Sequence, residues 1–114
     1  MLSYRHSFHA GNHADVIKHL VEVAILMYLM KKDKPFCYHD THAGAGLYSL
    51  DSAQALKTSE YQTGIGKLFQ HQASNSAVQT YLDLVRELNP DGQLQFYPGS
   101  PGIARLLLRD GDSI

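Results

Sequence analysis

The feature that most constrains the fold is one short apolar run, Phe36-Cys37-Tyr38, which lies between Pro35 and a glycine-rich turn. Such a run is typical of a buried strand. The sequence offers no second strand of comparable quality, and a single buried strand cannot form a sheet. The chain reaches Asp112-Ser113-Ile114 just where a second strand would follow the last predicted helix. We therefore expect these residues to form the front part of a larger α/β domain.

Length and composition suit a single folded domain in a reducing compartment. The chain has 114 residues, of which 44% are hydrophobic and 18% are charged, which is typical of a globular protein and not of a disordered one. Its one cysteine excludes an internal disulfide. The most apolar stretch, Val21 to Met30, includes Glu22 and is about half of the roughly 20 residues that a membrane span needs. We expect a soluble, cytoplasmic protein.

Apolar residues at three- and four-residue spacing predict the helices. One helix is predicted from about Asn12 to Lys31, and a second amphipathic helix from Val78 to Leu88. Ser100-Pro101 is typical of an N-cap followed by proline at the first helical position, which predicts a helix over Ile103 to Arg109.

The middle of the chain carries weaker signals. Tyr48 to about Asn75 is polar and mixed, with one helix-like set of apolar residues between Tyr61 and Phe69. Leu94 to Tyr97 is predicted as a short extended piece.

Positive charge and histidines are concentrated near the start of the chain. The first 34 residues contain five Lys or Arg and three Asp or Glu, although the whole chain has a formal net charge of −1. A cationic front end suits a phosphate-bearing partner, but a solvated helix face is an alternative. His9 and His13 have the spacing of metal ligands on a helix, but the sequence has no His-Glu-x-x-His motif and no cysteine pair. We therefore expect these histidines to form hydrogen bonds around one pocket or on one surface, and we expect no metal site.

The segment Asp40-Thr41-His42-Ala43-Gly44-Ala45-Gly46 is the most informative for chemistry. An acid at the end of a strand, followed by glycines, lets the backbone approach a nucleotide-like cofactor closely. The dinucleotide fingerprint would need glycine at Ser49, and no Gly-Lys-Ser/Thr follows for a phosphate-binding P-loop. The pattern is similar to the S-adenosylmethionine loop of Rossmann-like methyltransferases. A purely structural glycine turn remains the alternative.

A third stretch, Tyr97-Pro98-Gly99-Ser100-Pro101, predicts a rigid bend that presents the Ser100 hydroxyl and the free amides of a helix start. A plain helix cap is the alternative interpretation. Near the start of the chain, Tyr4 offers a flat face for base stacking, although a surface tyrosine explains it as well.

Taken in order, these stretches resemble one family closely. The opening Met1 to His19, the loop Asp40 to Gly46 and the segment Tyr97 to Arg109 are similar to the bacterial 23S rRNA adenine-N(6) methyltransferases of the large-subunit methyltransferase J family. That family has also been linked to the use of external DNA. The resemblance runs across essentially the whole chain, most loosely between Leu50 and Asn89.

The resemblance implies an α/β fold, the N-terminal part of a Rossmann-like class I S-adenosylmethionine-dependent methyltransferase. It implies methyl transfer to the exocyclic amine of one adenine in protein-free 23S rRNA, without a metal. The expected cofactor-binding residues are Lys18, His19, Asp40, His42, Gly44, Gly46 and Ser100. Tyr4 and His6 match the N-terminal motif that meets the RNA.

The same resemblance divides the chain into parts of one domain. Residues 1–34 correspond to the N-terminal motif and first helix, and 35–50 to the first strand and cofactor loop. Residues 51–92 correspond to a mostly helical insertion, and 93–114 to the Pro-Gly-Ser-Pro turn and its helix.

One departure from the family pattern is large. Such enzymes accept hydrogen bonds from the target amine on an Asp/Asn-Pro-Pro-Tyr/Phe turn, which this sequence lacks. The acid that grips the cofactor ribose at the end of the second strand is missing too. We expect no catalytic residue and no methyl transfer from these residues alone. Two other functions stay open: a metal-dependent hydrolase that uses the histidines, and a non-catalytic protein of nucleic-acid binding or DNA use.

Overall fold

A computed structural model describes residues 6–40, 44–51, 55 and 59–113 of the chain. Within these ranges, α-helices pack around a small two-stranded antiparallel sheet. The helices are α1 (His13–Met30), α2 (Ile65–Leu68), α3 (Ser76–Glu87) and α4 (Ser100–Leu107). The strands are β1 (Leu47–Ser49) and β2 (Phe96–Pro98), and short 3-10 helices span His6–Phe8 and Glu60–Thr63.

Helix α1 confirms the predicted first helix to within a residue at each end. Asn12 is its N-cap, and the Asn12 side chain accepts a hydrogen bond from the amide of Asp15 at 2.8 Å. This bond satisfies one of the amides that a helix start leaves open. Val16, Val23 and Leu26 face the protein interior. In the part of the chain that the structure describes, no helix combines the length and the apolar character needed to cross a membrane.

The core lies where α1, α3 and α4 meet the sheet. Helix α3 confirms the predicted second amphipathic helix, and its Tyr81, Leu82 and Val85 are fully buried. Fully burying one large apolar side chain contributes about 1.5–3 kcal/mol. The packing of α1 on α3 and α4 therefore sets the positions of the loops at the edge of the sheet.

The prediction of a buried strand at Phe36–Tyr38 is wrong for the structure of these residues. Among the described residues, Cys37 takes part in a single parallel bridge with Ser113, and its side chain is exposed. The amide of Tyr38 donates to the Ser113 carbonyl at 2.7 Å, and the amide of Ser113 donates to the Phe36 carbonyl at 3.0 Å. A parallel strand becomes buried only when neighbouring strands and covering elements enclose it, and one bridge does not. The pairing direction is nevertheless parallel, as the α/β prediction requires.

The observed sheet was only half predicted. Strand β2 overlaps the predicted extended piece Leu94 to Tyr97, whereas β1 falls in a region for which no strand was predicted. The two strands pair antiparallel, with Tyr48 directly opposite Tyr97. This pairing brings together two segments that are about fifty residues apart in the chain.

The start of α4 differs from the prediction by one residue. Gly99 is the N-cap, with an extended backbone (φ −82°, ψ 174°), and Ser100 is the first helical residue. Gly99 holds this place because a side chain there would overlap the carbonyl oxygen of Ala45. At the other end the helix stops at Leu107, two residues earlier than predicted, because Leu108 is extended.

Candidate functional site

Two stretches that the sequence singles out separately lie against each other. They are residues 44–46 of the glycine loop (Asp40 to Gly46) and the Pro-Gly-Ser-Pro turn (Pro98 to Pro101). The amide of Gly99 donates a hydrogen bond to the carbonyl of Gly46 at 3.0 Å. A Cβ atom added at Gly99 would overlap the carbonyl oxygen of Ala45, and one added at Gly102 would overlap that of Gly46. Only glycine permits such a close approach of two backbones. The two motifs therefore form a single place on the molecule.

Tyr48, in β1, supports the glycine loop through a hydrogen bond. The hydroxyl of Tyr48 accepts a hydrogen bond from the amide of Ala45 at 3.1 Å, and the Tyr48 ring is buried. A Cβ atom added at Gly44 would overlap that same hydroxyl. Residues 44–46 are exposed, although the Ala45 amide and the Gly46 carbonyl already have partners in Tyr48 and Gly99.

His19 lies buried beside the turn. Its Nδ1 atom is 2.7 Å from the hydroxyl of Tyr97, and its Nε2 atom is 3.3 Å from the hydroxyl of Ser100. The Tyr97 hydroxyl in turn lies 2.8 Å from that of Tyr81. Burial lowers the pKa of His19 to about 4, so the imidazole is neutral at neutral pH. These four side chains connect α1, α3, β2 and α4 through hydrogen bonds.

His6, expected to meet the RNA, contacts Asp15 and also Tyr48, which supports the glycine loop. Its Nε2 atom is 2.6 Å from the carboxylate of Asp15, and its ring packs edge-on against Tyr48 with centroids 5.2 Å apart. Asp15 is buried and also accepts from the amide of Gly11. Burial alone would raise the pKa of Asp15, but the hydrogen bond from His6, the nearby His19 and the Gly11 amide hold that pKa below its ordinary value.

Asp40, the acid before the loop, shares a phenol with a second carboxylate. The Tyr38 hydroxyl lies 3.0 Å from Asp40 and 3.2 Å from Glu22. The other carboxylate oxygen of Glu22 is buried, and no hydrogen-bond partner for it is found among the described residues. Burial, together with the negative charge of Asp40, raises the pKa of Glu22 to about 7. These two carboxyl groups lie close together next to the start of the loop, and Glu22 is only partly ionised at neutral pH.

Lys18 lies on a different side of α1 from the buried His19. Its side chain lines an open cleft of about 400 Å³ between α1 and residues 36–39, together with Glu22 and Tyr38. The structure thus brings His19 and Ser100 together beside the loop, whereas Lys18 lines a cleft with Glu22. Tyr4 and His42, also expected site residues, lie outside the described residues.

The histidines that could have formed a metal site have other surroundings. His9 Nδ1 lies 2.9 Å from the carboxylate of Glu60, and His13 is exposed. Within the described ranges, no group of three or more His, Cys, Asp or Glu side chains is arranged to hold a metal.

Sequence reasoning missed the residues that support the site from the core. In the sequence, Tyr81 lies within the predicted helix Val78 to Leu88, Tyr97 begins the predicted bend, and Asp15 is given no role. One signal was available: Tyr81 occupies a core position of an amphipathic helix, and a buried tyrosine hydroxyl needs a hydrogen-bond partner.

The chain matches known proteins along its whole length. Residues 33–114 match the family model described as ribosomal RNA large subunit methyltransferase D, RlmJ. A protein of Escherichia coli (strain K12), named ribosomal RNA large subunit methyltransferase J, is 56% identical over 114 residues, which is 100% of this chain and 41% of that protein. The protein of the same name from Haemophilus influenzae is 50% identical over 113 residues, 98% of this chain and 40% of that protein.

A solved structure shows the same fold. The crystal structure of protein LPL1258 from Legionella pneumophila str. Philadelphia 1, described with the family model DUF519, matches with a TM-score of 0.81 and 38% identity. The match covers 90% of this chain and 38% of that one. This chain spans about two fifths of the length of the relatives it matches. Because the family model matches residues 33–114, which is most of the chain, the chain belongs to the ribosomal RNA large subunit methyltransferase J family.

Proposed function

We propose that this chain forms the cofactor-binding part of an enzyme that transfers a methyl group from S-adenosylmethionine to the N6 amine of an adenine in 23S rRNA. The observation that carries the proposal is the direct contact between the glycine loop and the Pro-Gly-Ser-Pro turn, which contains Ser100. Family membership supports the rRNA substrate. In this proposal the chain is the N-terminal part of one Rossmann-like class I domain that acts in the cytoplasm, with residues 51–92 as a helical insertion.

The residues present suit the cofactor. S-adenosylmethionine carries a positive sulfonium and an ammonium group, and the carboxyl groups of Glu22 and Asp40 beside the loop are acceptors suited to such groups. A bound positive group would favour the ionised form of Glu22. The buried, unpartnered oxygen of Glu22 is an acceptor available for such a positive group. The exposed backbone of Gly44 and Gly46 leaves room for the ribose and the methionine part. In this proposal Lys18, His19 and His42 complete the cofactor side.

The proposal assigns the RNA side to the start of the chain. The bound cofactor supplies an electrophilic methyl group, and a flipped adenine must be held beside it by stacking and edge contacts. Tyr4 and His6 are the proposed RNA-facing residues. His6 is attached to Asp15 and Tyr48, so it couples the RNA-facing segment to the floor of the glycine loop.

The decisive test is a chimera in which residues 1–114 replace the matching part of the Escherichia coli relative. We expect the purified chimera to bind S-adenosyl-L-homocysteine in calorimetry and to methylate adenine N6 in protein-free 23S rRNA, measured by nucleoside mass spectrometry. Ser100→Ala should weaken cofactor binding, whereas Ser76→Ala, an exposed serine of α3, should not.

Two results would contradict the proposal. A folded chimera that binds rRNA but no cofactor would favour a non-catalytic nucleic-acid-binding function. Methyl transfer by residues 1–114 without the remaining part would show that the cofactor site is complete within them, contrary to the expectation from the missing Pro-Pro motif.

A further inference from the structure

We propose that Tyr81, Tyr97 and His19 form a series of hydrogen bonds that all run in one direction. This hydrogen-bond chain fixes the Ser100 hydroxyl as a donor to an acceptor that is not part of the polypeptide. The direction follows from the geometry of the four side chains. The identity of the acceptor, a group of the cofactor, rests on the proposed function.

The argument begins with burial. Tyr81 and Tyr97 are 0% exposed, and His19 is 1% exposed. The chain contains three contacts: Tyr81 to Tyr97 at 2.8 Å, Tyr97 to His19 Nδ1 at 2.7 Å, and His19 Nε2 to Ser100 at 3.3 Å. Neither phenol is open to bulk solvent, so each buried O–H group needs an acceptor among the groups around it.

Only two directions are consistent with a neutral imidazole. In the first, Tyr81 donates to Tyr97, Tyr97 donates to Nδ1, and the Nε2–H group donates to Ser100. In the second, every donor is reversed, and the chain ends at the hydroxyl of Tyr81. The structure gives that hydroxyl no acceptor other than Tyr97 among the described residues, so the second direction leaves a buried O–H unpaired.

The unpaired O–H group of Tyr81 decides between the two hydrogen-bond directions. A buried hydroxyl without an acceptor disfavours its arrangement by about tenfold or more. In the first direction, every donor of the two tyrosines and of His19 has an acceptor. A protonated imidazole would donate from both nitrogens and would again leave Tyr81 unpaired, and the low pKa of His19 keeps that form away at neutral pH.

The consequence falls on Ser100. Its oxygen already accepts the Nε2–H group, so its own hydrogen cannot point to His19. Ser100 begins α4 beside the contact between the glycine loop and Gly99. Ser100 is 6% exposed, so its hydroxyl hydrogen is available only to an oxygen or nitrogen of a ligand that binds directly against the start of α4. Tyr97 is a positioning residue, which acts on the ligand through His19 and Ser100, whereas Tyr81 only completes the buried end of the series by donating to Tyr97.

The direct test is the tautomer of His19, read from the nitrogen chemical shifts of ¹⁵N-histidine-labelled protein at pH 7. We expect protonation at Nε2 and a bare Nδ1. An Nδ1–H tautomer, or a charged ring, would overturn the proposal. This measurement needs no variant and no ligand, so it is independent of cofactor binding. A chimera that shows the expected tautomer but binds no S-adenosyl-L-homocysteine would contradict the proposed function, while the proposed direction of the hydrogen bonds would still hold.

Two matched variants separate this role from simple packing. Tyr81→Phe leaves Tyr97 with His19 as its acceptor, so the Nε2–H tautomer should persist and the affinity of the chimera for S-adenosyl-L-homocysteine should stay within about twofold. Tyr97→Phe removes the group that sets the direction, so both tautomers should appear and the affinity should fall by about fivefold or more. Each variant deletes one buried hydroxyl; equal effects of the two on tautomer and affinity would show that the tyrosines only fill space.

Discussion

Gly102→Ala tests whether the contact between the two motifs governs this part of the fold. Gly102 is the third residue of α4. In an ordinary helix interior, replacing glycine by alanine stabilises by about 1 kcal/mol, because alanine loses less backbone entropy on folding. Here the added methyl group would overlap the carbonyl oxygen of Gly46 and would lie 3.1 Å from its carbonyl carbon. Helix propensity and packing therefore predict opposite signs for the change in the free energy of unfolding.

The packing effect should dominate. Forcing a methyl group into a closely packed place costs about 1–3 kcal/mol. Moving the loop away also lengthens the hydrogen bond from Gly99 to Gly46, which is worth about 1 kcal/mol. Against the gain of about 1 kcal/mol from propensity, we expect the free energy of unfolding to fall by about 1–3 kcal/mol.

Urea unfolding followed by circular dichroism measures the change, with Gly111→Ala as the control. A Cβ atom at Gly111 would meet only Pro35, at an ordinary distance of 3.7 Å, so this variant should be neutral or stabilising by up to about 1 kcal/mol. If Gly102→Ala stabilised the protein as much as Gly111→Ala, the close approach of the glycine loop to α4 would be refuted.

Three further changes probe the supports of the site. Tyr48→Phe removes the acceptor for the Ala45 amide, so that amide should exchange its hydrogen faster in a hydrogen-exchange measurement. Arg109→Lys should lower the melting temperature, because the guanidinium donates to three backbone carbonyls at and after the end of α1 and an ammonium cannot reach all three; unchanged melting would contradict this. Glu22 has its pKa raised from 4.5 to about 7 by burial, so the native protein should lose stability as pH rises from 4.5 through 7. In urea unfolding, Glu22→Gln should therefore be more stable than the native protein at pH 8 by about 1 kcal/mol, after allowance for partial exposure. At pH 4 the two proteins should be equally stable. The control Glu87→Gln, at an exposed position, should match the native protein at both pH values.

The sequence predicts those parts of the fold that depend on neighbours along the chain. Helices α1 and α3 are marked by apolar periodicity, and the structure confirms both. Local signals also drew attention to the glycine loop and the Ser100 turn, because glycine and proline restrict the backbone wherever they occur. That these two segments touch is not a local property, and no pattern within either one indicates it.

The predictions failed where distant partners decide the outcome. Phe36–Tyr38 has the composition of a buried strand, but burial depends on neighbours that lie elsewhere, and here one bridge to Ser113 is present. Strand β1 escaped notice because three residues are too few to show alternation. The polar roles of Tyr81 and Tyr97 were hidden for another reason: hydropathy patterns register the ring and not the partner of the hydroxyl.

The register of the small sheet explains how the site is assembled. Tyr48 and Tyr97 are directly opposed, and both face the core. The first holds the glycine loop through Ala45, and the second contacts His19. Because side chains alternate between the two faces of a strand, a slip of one residue would turn one of these tyrosines away from the core. A single pair of residues thus couples the loop to the buried network, although the strands that carry them are three residues long.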